Sequence, residues 1–157
     1  MASNPRRRLA EVQKPNPTPT PDPAEYARGV LRAEAVAIEQ LCSHIDGDFS
    51  EAVDRILACC GRVVVTGMGK PGFIAQKISA TFASTGTPSL FLHPAEALHG
   101  DLGRLVPGDL VLALSNSGET EEILRLLPAL KRLGAPIIAV TGGQKSSLAA
   151  AADVVLE

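Results

Sequence analysis

The chain has 157 residues, of which 45% are hydrophobic and 20% charged, with a formal net charge of −2. That suits one soluble globular domain with a real core, and 3% aromatic residues with no basic stripe give no support for a nucleic-acid partner. No apolar run approaches the ~20 residues of a membrane span, and Arg6, Arg7 and Arg8 lead into no apolar signal core, so a cytoplasmic protein without a membrane partner is expected.

Residues 1–22 are polar and rich in proline, with Pro15, Pro17, Pro19 and Pro21 alternating with polar residues. Proline removes a backbone donor and disfavours helix in the residue before it. A disordered or extended tail is expected there, and a domain over 23–157. Val30, Ala33, Val36, Ala37 and Leu41 recur at helical spacing and predict a helix over 24–43. A second is predicted over 49–59, opened by Ser50 and Glu51. Cys42, Cys59 and Cys60 are odd in number and the last two are adjacent. They make no disulfide framework and read as buried free thiols.

From there, short apolar runs alternate with helical segments. Runs at 62–66, 89–92, 109–114, 136–140 and 153–156 are continuous, as in strands covered on both faces. Helices are predicted over 71–84, 119–133 and 146–152. Pro128 is expected to kink the second, and Gly134 to stop it. The rhythm predicts an α/β fold, a three-layer αβα sandwich with a five-stranded parallel sheet of flavodoxin-like kind. Ligands of such sheets bind beyond the carboxyl ends of the strands. The loops after Thr66, Leu92, Leu114 and Val140 are therefore the ones to read.

Gly67-Met68-Gly69-Lys70-Pro71-Gly72 joins a strand to a helix, so the backbone can approach an anion while Lys70 sets a cation at the cleft. The string also fits G-x-G-x-x-G. A dinucleotide site, however, wants an acidic residue at the end of the next strand, where Leu92 and His93 stand. Ser115-Asn116-Ser117-Gly118-Glu119-Thr120 clusters three hydroxyls at a helix start. Capping needs one such residue, so the pattern favours a phosphate monoester. Ser84-Thr85-Gly86-Thr87-Pro88 reads equally as a sugar contact or as a helix stop and turn. The block from His93 to Asp101 gathers His93, Glu96, His99 and Asp101. Its imidazoles can exchange protons near neutral pH, but their spacing matches no strong metal signature. Glu122, on the first turn of the following helix, is a general base or a carboxylate that complements the helix dipole.

Taken together, these strings resemble the sugar isomerase (SIS) domain, in its arabinose-5-phosphate isomerase branch, from about residue 28 to the last. The resemblance implies interconversion of D-ribulose 5-phosphate and D-arabinose 5-phosphate, which feeds Kdo synthesis for lipopolysaccharide or capsule. It implies catalytic roles for Lys70 and Glu122, and a substrate site lined by Gly86, Thr87, His93 and His99, with His93 able to bind zinc, expected to be inhibitory. It further implies a homotetramer. A second catalytic glutamate, a catalytic histidine and a CBS-domain pair are expected beyond Glu157, so a fragment of low activity is expected.

The chemistry agrees. Moving a proton between C1 and C2 through an enediol needs a phosphate anchor, a base and a cation for the oxyanion, and no redox cofactor. The anchor falls to Gly69 and to Ser115, Asn116, Ser117, Gly118 and Thr120, the base to Glu122 and the cation to Lys70. His99 is suited to opening the sugar ring or orienting a hydroxyl. The alternatives are a non-catalytic sugar-phosphate-binding SIS domain and another SIS phosphosugar isomerase.

Overall fold

The structure is a computed structural model that describes residues 22–157, so the proline-rich tail, apart from Asp22, lies outside the described residues. The described residues up to Leu41 and those from Cys42 to Glu157 fall into two units, each described by itself. The first contains helix α1, Pro23–Leu41. Asp22 starts it by accepting the Ala24 N–H on its carboxylate and the Tyr26 N–H on its carbonyl.

The second unit opens with a 3-10 turn, Cys42–His44, and helix α2, Gly47–Leu57. Asp46 caps α2 by accepting the N–H groups of Asp48 and Phe49. The helix therefore starts before Ser50, the residue expected to open it; the short-range cap outweighs the poor helix propensity of Gly47. Then follow β1 Val63–Gly67, α3 Lys70–Ser84, β2 Ser89–Leu92, α4 Pro94–Leu98, β3 Leu110–Leu114, α5 Glu121–Leu133, β4 Ile137–Val140, α6 Ser147–Ala151 and β5 Val154–Leu156. Gly134 stops α5 in the left-handed conformation, φ 66°, as expected. The helix continues through Pro128 to Leu133. The His93–Asp101 block, read as a loop, holds α4 and a 3-10 turn at Asp101–Arg104, both too short to show a period.

All five strands are parallel, in the order β2-β1-β3-β4-β5. The apolar runs alternate in the side they serve. Val63 and Val65 pack with Ala52 of α2 and Ala75 of α3. Val64, Val111 and Ala113 pack with Ala97 of α4, Ile123 and Leu126 of α5 and Leu148 of α6. β1 and β3 are buried throughout, whereas the edge strands β2 and β5 are only partly covered. The expected sandwich is thus present.

The thiols are free but not buried. Cys42 and Cys60 are exposed and Cys59 is half-buried, its Sγ donating to the Gly108 carbonyl at 3.4 Å. Cys42 lies on the 3-10 turn and Cys60 in the turn before β1, so neither falls on a core-facing position.

The amino ends of the strands are pinned by carboxylates. Asp109, fully buried, accepts the Arg62 N–H at 2.9 Å, the Val106 N–H at 3.0 Å and the Arg62 guanidinium at 2.8 Å. Burial alone would push its carboxyl up; the bonds from Arg62 and Val106 outweigh that and hold it below the ordinary aspartate range. Asp153 accepts the Ile137 N–H at 2.7 Å in the same manner at β4.

Candidate active site

The chain leaves β1 for the edge strand β2 and then crosses back to β3, so the strand order switches between β1 and β3. The loops that follow those two strands diverge there and open a crevice at the carboxyl edge. One wall is Gly67–Lys70. A Cβ on Gly72 would lie 2.7 Å from the Gly67 carbonyl oxygen, so glycine at these positions is explained by close strand–helix packing. Gly69 precedes α3 with φ 63°, and Lys70 is the first residue of that helix. The lysine is exposed and makes no ion pair among the described residues.

The other wall is Ser115–Thr120. Ser115 is buried, its hydroxyl 2.8 Å from that of Thr120 and accepting the Gly118 N–H at 3.1 Å. Ser117 Oγ accepts the Glu119 N–H at 3.2 Å. The three hydroxyls thus set the loop's shape, each with further bonding capacity. Helix α5 starts at Glu121, and the N–H groups of Asn116, Ser117, Thr120, Glu121 and Glu122 have no acceptor among the described residues. Unfilled N–H groups in a turn that enters a helix suit an anion. Gly118 is obligatory here: φ is 66°, and a Cβ would come 2.0 Å from Ser146 Oγ.

A cleft of about 700 Å³ joins the two walls, lined by Lys70, Ser115, Asn116, Thr141, Gly142 and Glu157 over an apolar floor that includes Ile74 and Leu114. That volume suits a small organic ligand. Lys70 therefore shares one cleft with Ser115 and Asn116, whereas Gly69, Ser117, Gly118 and Thr120 are outside its lining. Thr141, Gly142 and Glu157 were not singled out from sequence. The rule that the loop after Val140 faces a ligand was the available signal, and the strand order makes it adjacent to the loop of β3.

The other expected residues lie outside this lining. His93 follows β2 and is half-buried; its Nδ1 is buried without a hydrogen-bond partner among the described residues, and its ring meets Phe91 edge-on at 6.2 Å. His99 is exposed at the end of α4. Glu122 is half-buried on the first turn of α5, its carboxylate without an ion pair among the described residues. Gly86 and Thr87 precede β2, because α3 carries the chain back across the sheet. Within one chain they sit at the amino edge, across the sheet from Lys70. Among the described residues no three His, Cys, Asp or Glu side chains are grouped to hold a metal, so His93 stands as a lone imidazole. No described helix is long and apolar enough to cross a membrane.

The chain matches the SIS domain model over residues 56–157. It is 52% identical over 130 residues to the arabinose 5-phosphate isomerase KdsD of Escherichia coli and 53% identical over 131 residues to that of Pseudomonas aeruginosa. Each match covers 83% of this chain and 40% of the relative, so the chain spans well under half the length of these proteins. Among solved structures it is similar to an Escherichia coli protein, c3406, in complex with A5P, with 41% identity and a TM-score of 0.76 over 87% of this chain and 74% of that one. With the parallel sheet, the switch-point cleft and the serine-bearing loop in place, these matches make the chain a member of the SIS domain family.

Proposed function

We propose that this chain supplies the sugar-phosphate-binding part of an aldose–ketose isomerase that interconverts D-ribulose 5-phosphate and D-arabinose 5-phosphate. The observation that carries the reading is the shared cleft: Lys70, without an ion pair among the described residues, lines one volume with Ser115 and Asn116, the start of a loop with unfilled N–H groups, in a chain about half identical to arabinose 5-phosphate isomerases.

In this reading the amides of Asn116, Ser117, Thr120, Glu121 and Glu122, with the Ser117 and Thr120 hydroxyls, hold the phosphate, and the pentose extends toward Lys70. A base removes a proton from C1 of the ketose. The electron pair forms a C1=C2 bond and charge passes to the C2 oxygen, where the Lys70 ammonium offsets it. Returning the proton to C2, while the O1 proton passes to the C2 oxygen, gives the aldose. The reaction is redox-neutral, so no redox cofactor enters. Glu122 is the base in this scheme, supported by its place one turn from the phosphate loop and by its free carboxylate. His93, His99, Gly86 and Thr87 contact the sugar. Because Gly86 and Thr87 lie across the sheet within one chain, a neighbouring copy supplies them, in line with a homotetramer. Zinc held at His93 acts as an inhibitor. The product enters Kdo synthesis in the cytoplasm.

The test follows deuterium from solvent into C1 and C2 of the pentose phosphates by NMR. Incorporation with ribulose 5-phosphate in the intact protein supports the reading. Binding of a nucleotide with no exchange on a pentose phosphate removes it.

A further inference from the structure

Glu119 belongs to the phosphate loop, yet its carboxylate is held from outside the loop. Its Oε1 accepts the N–H of Ser147, the first residue of α6, at 2.7 Å and 28 residues away. The same β4–α6 turn braces the loop at several points. Leu148 N–H donates to the Gly118 carbonyl and Gly142 N–H to the Asn116 carbonyl, each at 3.1 Å. Thr141 Oγ1 reaches the Asn116 carbonyl at 3.4 Å, and Ser146 Oγ fills the space a Gly118 side chain would need.

Glu119 is the only one of these contacts that uses a charged side chain. A carboxylate free to swing within a few ångströms of a bound phosphate would repel it. Tied to the Ser147 N–H, it instead fastens the turn between Gly118 and Thr120 to α6. We propose that Glu119 is a positioning residue for phosphate binding, which anchors the loop to α6 and keeps its own charge off the anion. This rests on the phosphate reading of the loop.

The test titrates arabinose 5-phosphate by calorimetry into the full chain and into Glu119→Ala and Glu119→Gln. The glutamine keeps an oxygen for the Ser147 N–H and removes the charge. Glu119→Ala is expected to bind about tenfold more weakly, the scale of one lost charge-assisted bond, with the melting temperature within a few degrees of wild type. Glu119→Gln is expected to bind at least as tightly as wild type. In the active protein, KM rises in Glu119→Ala while kcat stays within about twofold.

Three outcomes overturn the inference: both variants bind as wild type, both bind more tightly, or both weaken equally. The first removes any role, the second leaves only repulsion, and the third makes the charge itself the requirement. A wild-type chain that binds no pentose phosphate overturns the phosphate reading and the inference with it.

Discussion

At the amino ends of the strands, carboxylates occupy the backbone: Asp109 takes the N–H groups of Arg62 and Val106, and Asp153 that of Ile137. At the carboxyl ends the reverse holds. Among the described residues, the loop after β3 leaves five N–H groups between Asn116 and Glu122 without an acceptor, and Lys70 stands beside it without a counter-ion. One end is a finished piece of structure, because its donors are satisfied from within. The other has spare donors and positive charge, which water meets in the free chain and which an anion can meet instead. Stability and function are thereby separated along the strand axis, and substitutions at the two ends should fail in different assays.

The sharpest way to break this contrast is at Lys70. Lys70→Ala should lower kcat of the intact enzyme at least about a hundredfold, the scale of one lost electrostatic donor. Its melting temperature should be unchanged, since the side chain is exposed and unpaired. Retained activity in a steady-state assay would remove the lysine from the mechanism.

Asp109→Ala should do the opposite. It should cost about 2–3 kcal/mol in urea unfolding and leave the amide shifts of Ser115–Thr120 unchanged. That figure is below the loss for a fully buried pair, because the Arg62 side chain remains 35% exposed. The pH dependence follows from the lowered carboxyl. The stabilisation is present in full above the unfolded aspartate value, about pH 4, and is lost as pH falls through the lower folded value. The gap between wild type and variant should therefore stay constant from pH 7 to about 5 and close at more acid pH.

Gly118→Ala places a methyl group against Ser146 Oγ at a positive φ. It should cost about 1–2 kcal/mol of stability and weaken pentose-phosphate binding by calorimetry, because the loop is strained where it grips. Smallest of all, Asp153→Asn should cost about 1 kcal/mol in the same unfolding experiment, the value of one hydrogen bond.

Much of the carboxyl end was legible in the sequence, because its signals are local. Glycines, hydroxyls and a lysine stand directly after apolar runs that could only be buried strands, and the strand order then brings two of those loops together. The amino end was not legible. Asp109 reads as the first residue of a strand, and nothing near it in sequence announces a partner 47 residues away. The same holds for the brace between Glu119 and Ser147. Helix α4 was missed because five residues are too few to show a period. Residue type alone puts the thiols inside, whereas the turns that carry Cys42 and Cys60 put them at the surface. Gly86 and Thr87 come close to Lys70 in sequence, but α3 separates them by the length of the sheet.

The most direct measurement follows backbone amide shifts of the chain by NMR as arabinose 5-phosphate is added. Saturable shifts should appear at Asn116, Ser117, Thr120 and Glu121, together with Lys70, while Arg62, Asp109 and Asp153 stay still. Shifts confined to the amino end, or none with the sugar phosphate alongside tight binding of a nucleotide, would contradict the division of the molecule into a pinned end and a binding end.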